Sequence, residues 1–202
     1  PAPKIVITFK FITFIFQQFL VNKDIRSLKN SFIYYLLFRL IRNFLTKDIV
    51  IKIYNFKVFG SIKKNKTSHY LLKKCEFGDY DELALIKKFS KKNKILLLDC
   101  GCNYGFYSFY TAELSSQNLV ISIEASKKTL LEFERNLKLN NFNNIYFQNR
   151  ALSDNDNSMI SFNESKNDWE SSLAHDDFEV RNINQVKTIK IDTLLKSHNI
   201  DE

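Results

Sequence analysis

Glycine and proline are scarce in this chain, which has 202 residues but only 4 Gly and 2 Pro. This scarcity leaves little material for a long flexible linker. No internal period of roughly 20 to 50 residues is visible either, which excludes a solenoid or propeller array. With 45% hydrophobic residues, the length suits one domain with a substantial core and an extension.

Cysteine and histidine are also rare, with 3 residues of each type. Three cysteines are too few for a disulfide framework and favour a reduced, cytoplasmic setting. Cys100 and Cys102 are separated by one residue, whereas zinc and redox sites use two. His69, His175 and His198 form no H-x-x-x-H pair. The sequence therefore predicts no metal site.

Acidic residues are nearly absent from the first 75 residues, which contain 15 Lys and Arg against only Asp24 and Asp48, a net charge of +13. Residues 76–202 contain the other 15 basic residues against 20 acids, a net charge of −5. The overall charge of +8 therefore belongs to the N-terminal third. Such asymmetry indicates a basic surface that meets an anionic partner.

A membrane-spanning segment is not expected at the N-terminus. The apolar stretch at 5–21, IVITFKFITFIFQQFLV, is 17 residues long and contains Lys10, whereas a spanning helix needs about 20 apolar residues. A secretory signal fits poorly, because no basic cluster precedes the stretch and no small-x-small cleavage site follows it.

Residues 27–45, SLKNSFIYYLLFRLIRNFL, have the pattern of a basic amphipathic helix. One stripe contains Phe32, Leu36, Leu40 and Phe44, and Ile33, Leu37 and Ile41 lie beside it. The basic residues Lys29, Arg39 and Arg42 fall toward the other side. Two interpretations stay open: peripheral contact of residues 5–45 with the inner face of a membrane, or packing on the protein's own domain. Nucleic acid is not an expected partner, because no zinc-finger, RNP-like or KH-like motif is present.

We divide the chain into three segments. Residues 1–47 form a basic amphipathic helical extension. Residues 48–93 lead into the domain with a hairpin at 48–60, turning near Asn55, and a helix at 78–89. Residues 94–202 form a partial Rossmann-like domain, described next.

From residue 94 onward, strand-like and helix-like patterns alternate. The strands are KILLLDCG, NLVISIEAS and NNIYFQN, and the helices are YGFYSFYTAELSS and KKTLLEFERNLKLNN. The continuous apolar run in the first strand is typical of a strand buried on both faces of a parallel sheet. Short connections between alternating strands and helices predict an α/β fold with a doubly wound parallel sheet.

The turn in LLLDCGCNYGFYS, residues 96–108, joins the first strand to the first helix at the carboxyl edge of the sheet, where ligands bind. Gly101 and Gly105 would let the backbone approach a ligand, and Asn103 tolerates left-handed geometry. Asp99 ends the first strand, and Glu124 ends the second, where a carboxylate can accept hydrogen bonds from both ribose hydroxyls.

The sequence motifs that this turn lacks narrow the range of possible ligands. The dinucleotide pattern G-x-G-x-x-G fails after Gly101, and no Walker loop is present. An acid directly before the turn suits a ligand with a positive amino group, which S-adenosylmethionine has and NAD lacks. The alternative is a glycine turn that serves only strand-to-helix packing.

Several motifs in this order resemble those of FkbM-type methyltransferases. The turn resembles D-x-G-A-N-x-G-x-Y/F-S, and SIEASKKTLLEFERNLKLNN resembles the family's E-P-x6-L-x2-N-x3-N region. ALSD, WESSL and VKTIKIDTLL resemble later elements, so the resemblance covers about residues 76–197. Cys102 replaces the family's Ala, and Ala125 replaces its Pro.

This resemblance implies a Rossmann-like class I methyltransferase fold, S-adenosyl-L-methionine as cofactor, and O-methylation of a sugar or glycan hydroxyl. Asp99, Gly101, Asn103 and Gly105 would line the methionine end, and Glu124 would hold the ribose. Residues from Asn149 to Ala151 would lie along the adenine, with Ser153 and Asp154 close by. No catalytic residue is identified. A polar loop that either faces the acceptor or is simply solvated contains Asp168, Trp169, His175, Asp176 and Asp177.

The family pattern continues with a further strand beyond the D-x-L-L element, so the resemblance predicts a C-terminally truncated chain. The strand at 95–98 would then have an unpaired apolar edge. The isolated chain would be poorly soluble or only partly folded, and inactive by itself. Two other functions stay open. One is a membrane-surface or glycan-associated binding module with a degenerate Rossmann half, and the other is an NAD-type oxidoreductase.

Overall fold

The structure is a computed structural model, and it describes residues 14–42, 48–61, 66–165 and 180–200. The chain divides into two compact units. The first consists of residues 1–82 with 138–140, and the second of residues 83–137 with 141–202. Among the described residues, no helix is both long enough and apolar enough to span a membrane.

The first unit is built from helices and one hairpin. Its elements are α1 (14–22), a 3₁₀ helix (Ile25–Leu28), α2 (Phe32–Ile41), β1 (Ile49–Ile53), β2 (Phe56–Gly60) and α3 (Lys66–Lys74). The hairpin is confirmed: Ile53 pairs with Phe56, and Tyr54 takes a positive φ of 53° in the two-residue turn. Alternate residues of both strands are buried, which places one hairpin face in the core.

Helix α2 begins at the Ser31 cap, whose hydroxyl accepts a hydrogen bond from Tyr34 N at 3.2 Å. A helix is present within the predicted range of 27–45, but it spans only Phe32–Ile41, and residues 43–45 lie outside the described part of the chain. The structure also shows which of its faces is buried. Tyr34 and Phe38 lie in the core. The predicted stripe points outward instead, with Phe32, Leu36 and Leu40 exposed. Phe44 lies outside the described residues.

The second unit contains a parallel sheet with strand order β3-β4-β5, formed by β3 (Leu96–Cys100), β4 (Leu119–Glu124) and β5 (Ile145–Asn149). Helix α4 (Tyr80–Ser90) precedes this sheet. Helices α5 (Phe106–Leu114) and α6 (Lys127–Leu137) connect its strands. This β-α-β-α-β order confirms the predicted α/β class with a Rossmann-like parallel sheet.

Helices cover both faces of the central strand β4. Ile121 and Ile123 pack against Leu194 of α7 (Ile191–Ser197), whereas Ser122 contacts Ser108 of α5. Because successive side chains of a strand point to opposite faces, α5 and α7 lie on opposite sides of the sheet. Strand β4 is accordingly buried on both faces.

Strand β3 is less enclosed than the sequence predicts. Within the described residues it pairs with β4 alone, and Leu96 is 40% exposed. Leu97 and Leu98 are half-buried, and Asp99 is the buried residue of the strand. The prediction of burial on both faces is therefore wrong for β3, since Leu96 is exposed and Leu97 and Leu98 are only half-buried.

A second, mixed sheet follows with the order β6-β8-β7, formed by β6 (Ala151–Leu152), β7 (Met159–Ser165) and β8 (Val180–Ile189). Strand β8 runs parallel to β6 and antiparallel to β7.

Asp156 fixes the start of α7: its carboxylate accepts hydrogen bonds from Lys190 N at 2.8 Å and Thr193 Oγ1 at 2.7 Å. These hydrogen bonds hold the pKa of the Asp156 carboxyl below its ordinary value.

Candidate functional site

The candidate site is at the carboxyl ends of β3 and β4. Asp99 lies one residue before the end of β3 and is 8% exposed. Its Oδ2 accepts a hydrogen bond from Ser108 Oγ at 2.5 Å, and Ser108 Oγ lies 2.8 Å from Ser122 Oγ. Two hydroxyls thus connect the Asp99 carboxylate to α5 and to β4, which fixes its position at the sheet edge.

The turn after β3 is tied to the end of β4. Gly101 N and Cys102 N both donate to the Ile123 carbonyl, at 2.8 and 3.0 Å. Asn103 has a positive φ of 48°, as the sequence predicts from its tolerance of left-handed geometry. Asn136 of α6 also donates to the Tyr104 carbonyl at 3.1 Å, so β4 and α6 both hold the turn in place.

The two glycines of this turn have different surroundings. Gly101, with φ of 81°, has open space where a Cβ would stand. At Gly105, with φ of 87°, a Cβ would lie 2.7 Å from Phe109 and 2.8 Å from Phe133. The missing side chain at Gly105 is therefore explained by packing at the start of α5. At Gly101 it leaves backbone accessible at the sheet edge.

Glu124 is buried and is engaged by backbone amides on both carboxylate oxygens. Oε2 accepts from Asn103 N at 3.0 Å, and Oε1 accepts from Ser126 N at 2.8 Å. The Ala125 amide also interacts with this carboxylate. Because a carboxylate has about four lone-pair positions in all, Glu124 can still accept a hydrogen bond from a ligand. Glu124 thus links the turn after β3 to the start of α6, whose first turn Ser126 caps through Thr129 N.

Asn149 and Ala151 lie on either side of the β5–β6 junction. The Asn149 amide donates to the carbonyls of Glu124 and Ala125, at 2.8 and 2.9 Å. Ala151 is buried with Phe162 and Val186. Asn149 therefore lies directly beside Glu124, whereas Ala151 belongs to the core of the second sheet.

Both carboxyls have raised pKa values. Burial raises the pKa of Asp99, and the hydrogen bonds from Ser108 oppose this only in part. Burial also raises the pKa of Glu124, the nearby Asp99 charge adds to the rise, and the amides of Ser126 and Asn103 act in the opposite direction. Two buried carboxylates that repel one another destabilise the folded state. A cationic or hydroxyl-rich ligand would reduce this destabilisation by pairing with them.

The thiols beside these carboxyls are not activated. All three cysteines, Cys75, Cys100 and Cys102, are free. Burial and the Asp99 charge raise the pKa of the Cys100 and Cys102 thiols, which disfavours the thiolate that metal binding and nucleophilic chemistry need. No group of three potential metal-ligating side chains occurs in the described part of the chain.

Ser108 and Ser122 are the site residues that sequence reasoning missed. Both are 0% exposed, and they form the hydroxyl chain that ends on Asp99. Their signal is a polar residue inside an otherwise apolar segment, in FYSFY and in LVISIE. The residues of the predicted acceptor loop, Asp168, Trp169, His175, Asp176 and Asp177, lie outside the described residues.

No protein-family model matches the sequence, and no curated protein matches it significantly. Solved structures with partial likeness include a SAM-dependent methyltransferase from Agrobacterium tumefaciens, with 13% identity, a TM-score of 0.40 and coverage of 53% of this chain and 33% of that one. TYW2 from M. jannaschii, in complex with AdoMet, has 20% identity and a TM-score of 0.37, with coverage of 50% and 42%.

TYW2 from P. horikoshii, in complex with MeSAdo, has 14% identity and a TM-score of 0.40, with coverage of 67% of this chain and 64% of that one. The chain thus spans from one third to just under two thirds of these three proteins. At such low identities and TM-scores, the assignment of the α/β fold rests on the chain's own strand order and helix packing.

Proposed function

We propose that this chain binds S-adenosyl-L-methionine and belongs to a methyltransferase. The observation that carries the proposal is the pair of buried carboxyls, Asp99 and Glu124, at the ends of two neighbouring strands, next to a turn whose backbone is open at Gly101. A positively charged amino acid group with an attached ribose matches this pair in charge and in hydrogen-bonding capacity.

The residues present suit such a ligand. Asp99 would pair with its amino group, the backbone at Gly101 would contact the methionine end, and Glu124 would accept from the ribose hydroxyls through its remaining lone pairs. When bound, the sulfonium supplies an electrophilic methyl group. The chain's own part is to align that group with an acceptor and to exclude water from the site.

The predicted roles of Asn103, Gly105, Asn149 and Ala151 are kept as part of this proposal, with different support for each. Asn103 contacts Glu124 through its backbone, and Asn149 contacts the same strand end through its amide. Gly105 and Ala151 are buried by protein side chains. Asn103 and Asn149 are therefore the better supported candidates.

We further propose a sugar or glycan hydroxyl as the acceptor and FkbM-type enzymes as the subtype. The support is the motif order from LLLDCGCNYGFYS to VKTIKIDTLL, and free thiols suit the predicted cytoplasmic setting. The reaction would need a base to take the hydroxyl proton. A glycan-associated or membrane-surface binding module remains the second candidate, because exposed apolar residues of α2 favour a surface contact.

An NAD-type oxidoreductase is less well supported, because a pyrophosphate would bring negative charge toward two carboxylates. Titration calorimetry of the full chain with S-adenosylhomocysteine and with NAD separates these functions. We expect binding of S-adenosylhomocysteine alone, lost in Glu124→Ala and retained in the exposed control Glu82→Ala. Binding of NAD instead would support the oxidoreductase, and binding of neither would leave the binding module.

A further inference from the structure

A basic cavity lies between α2 and α3 in the first unit, away from Asp99 and Glu124 in sequence. Its volume is about 330 Å³, and among the described residues it is lined by Tyr35, Phe38, Arg39, Arg42, His69, Lys73 and Lys74. Four of these seven side chains are Lys or Arg, and none is a carboxylate. The cavity therefore has the charge to receive an anionic group such as a phosphate.

The helix pair that forms this cavity is held together by specific contacts. The Tyr34 hydroxyl of α2 donates to the Leu72 carbonyl of α3 at 2.6 Å. The Phe38 ring meets the edge of His69 with the ring centroids 6.5 Å apart. Because Tyr34, Leu72 and Phe38 are buried, these contacts hold Arg39 of α2 close to Lys73 and Lys74 of α3.

An exposed apolar face lies directly beside the cavity on α2. Phe32 is 78% exposed and Ile33 70%, and Leu36 and Leu40 are also exposed. Arg39 follows Leu36 by three residues and Phe32 by seven, so it lies next to both on the helix surface. The apolar face and the basic cavity are thus adjacent, with Arg39 at their border.

We propose that this combined surface docks the protein on a membrane that contains anionic phospholipids. Phe32, Ile33, Leu36 and Leu40 would enter the interface, and Arg39, Arg42, Lys73 and Lys74 would bind headgroup phosphates. Charge complementarity favours an anionic lipid, because residues 1–75 contain only two acids, and one of them, Asp24, pairs with Arg26. Exposed Ile33, Leu36 and Leu40 favour lipid over nucleic acid, because aliphatic side chains gain little from phosphates or bases.

Flotation of the full chain with vesicles tests this proposal. We expect binding to vesicles of phosphatidylcholine mixed with phosphatidylglycerol, and little binding to phosphatidylcholine alone. The double variant Lys73→Gln, Lys74→Gln should bind about 25-fold more weakly, since each basic side chain near an anionic surface contributes about fivefold. The matched control is Lys87→Gln, Lys88→Gln, which changes two exposed lysines on α4 and should leave binding unchanged.

The apolar face is tested separately with Phe32→Ser, Leu36→Ser, with Leu131→Ser on α6 as its exposed control. These positions are exposed, so the variants should fold, and circular dichroism checks this. We expect the α2 variant to lose vesicle binding at any salt concentration, whereas the lysine variant loses mainly the salt-sensitive part.

Three results would overturn the proposal: equal binding to both vesicle types, no binding to either, or binding of an RNA oligonucleotide without binding of vesicles. Inorganic phosphate should not displace the protein at matched ionic strength, and displacement would indicate a site for a free anion. S-adenosylhomocysteine titration of the same variants keeps this proposal distinct from the proposed methyltransferase function, since neither set of residues lies at the Asp99–Glu124 site.

Discussion

At the scale of single residues, the two glycines of the turn after β3 are explained by different physical requirements. Gly101 and Gly105 both take positive φ, but only Gly105 is enclosed by aromatic side chains. The first position therefore has room for a ligand, and the second is required by the packing of α5 and α6.

We predict that alanine mainly lowers stability at Gly105 and mainly abolishes ligand binding at Gly101. Gly105→Ala should destabilise the protein by about 3 kcal/mol, because a Cβ would combine left-handed strain with contacts to Phe109 and Phe133. Gly101→Ala should cost about 1 kcal/mol from strain alone but abolish S-adenosylhomocysteine binding. Thermal melts and calorimetry of both variants test this. An unchanged affinity in a folded Gly101→Ala variant would show that the ligand does not approach this backbone.

A second residue-scale prediction concerns Asp99. Burial raises the pKa of this carboxyl, so the folded state favours its protonated form. The protonated Asp99 carboxyl stabilises the folded state fully below the unfolded pKa of about 3.9. This stabilisation is lost as pH rises through the folded pKa. Asp99→Asn should therefore melt at a higher temperature than the parent chain at neutral pH, because the amide oxygen can still accept from Ser108.

The advantage of Asp99→Asn should grow as pH rises above the unfolded pKa of about 3.9 and should level off above the folded pKa, a change that differential scanning calorimetry at a series of pH values can follow. Ligand affinity should fall in the same variant, because the negative charge is lost. A lower melting temperature across this range would mean that the ionised carboxylate stabilises the fold, contrary to the direction of its pKa.

The sequence identified Asp99 and Glu124 because both lie at strand ends, a position that local pattern reveals. It could not show that Glu124 accepts from Asn103 N, since that contact joins residues 21 positions apart. Nor could it reveal Ser108 and Ser122 as partners of Asp99, because a serine in an apolar segment is equally consistent with packing.

At the scale of elements, the hydrophobic period predicted that a helix is present better than it predicted which face of that helix is buried. Helix α2 is present, yet its predicted stripe of Phe32, Leu36 and Leu40 is exposed, and Tyr34 and Phe38 occupy the core. Almost every position of FIYYLLFRLI is apolar or aromatic, so period alone cannot distinguish the two sides. The contact of Tyr34 with Leu72 decides which side is buried, and it depends on a distant helix.

Helix α7 gives a prediction at this scale. Leu194 is 0% exposed and packs against Ile121 and Ile123 on the face of β4 opposite α5. Leu194→Ala should lower stability by about 2–5 kcal/mol, and the exposed control Ile191→Ala on the same helix should have little effect. Urea denaturation measures both. Equal effects of the two variants would mean that α7 does not cover the sheet as described.

At the scale of the whole molecule, the division of charge coincides roughly with the division of structure. The first unit includes the whole basic N-terminal third, residues 1–75, and the second contains the two buried carboxyls of the candidate site. Composition alone located the basic segment, and the alternation of strands and helices located the α/β fold. The position of the basic cavity could not be predicted, because it needs α2 and α3 to be adjacent.

The central claim is that the site at Asp99 and Glu124 binds S-adenosylmethionine. Titration of the isotope-labelled full chain with S-adenosylhomocysteine, followed by amide chemical shifts, tests it most directly. The account predicts saturable shifts at Gly101, Asn103 and Glu124, with no comparable shifts at Arg39 or Lys73. Shifts confined to α2 and α3, or none at all at saturating ligand, would contradict it.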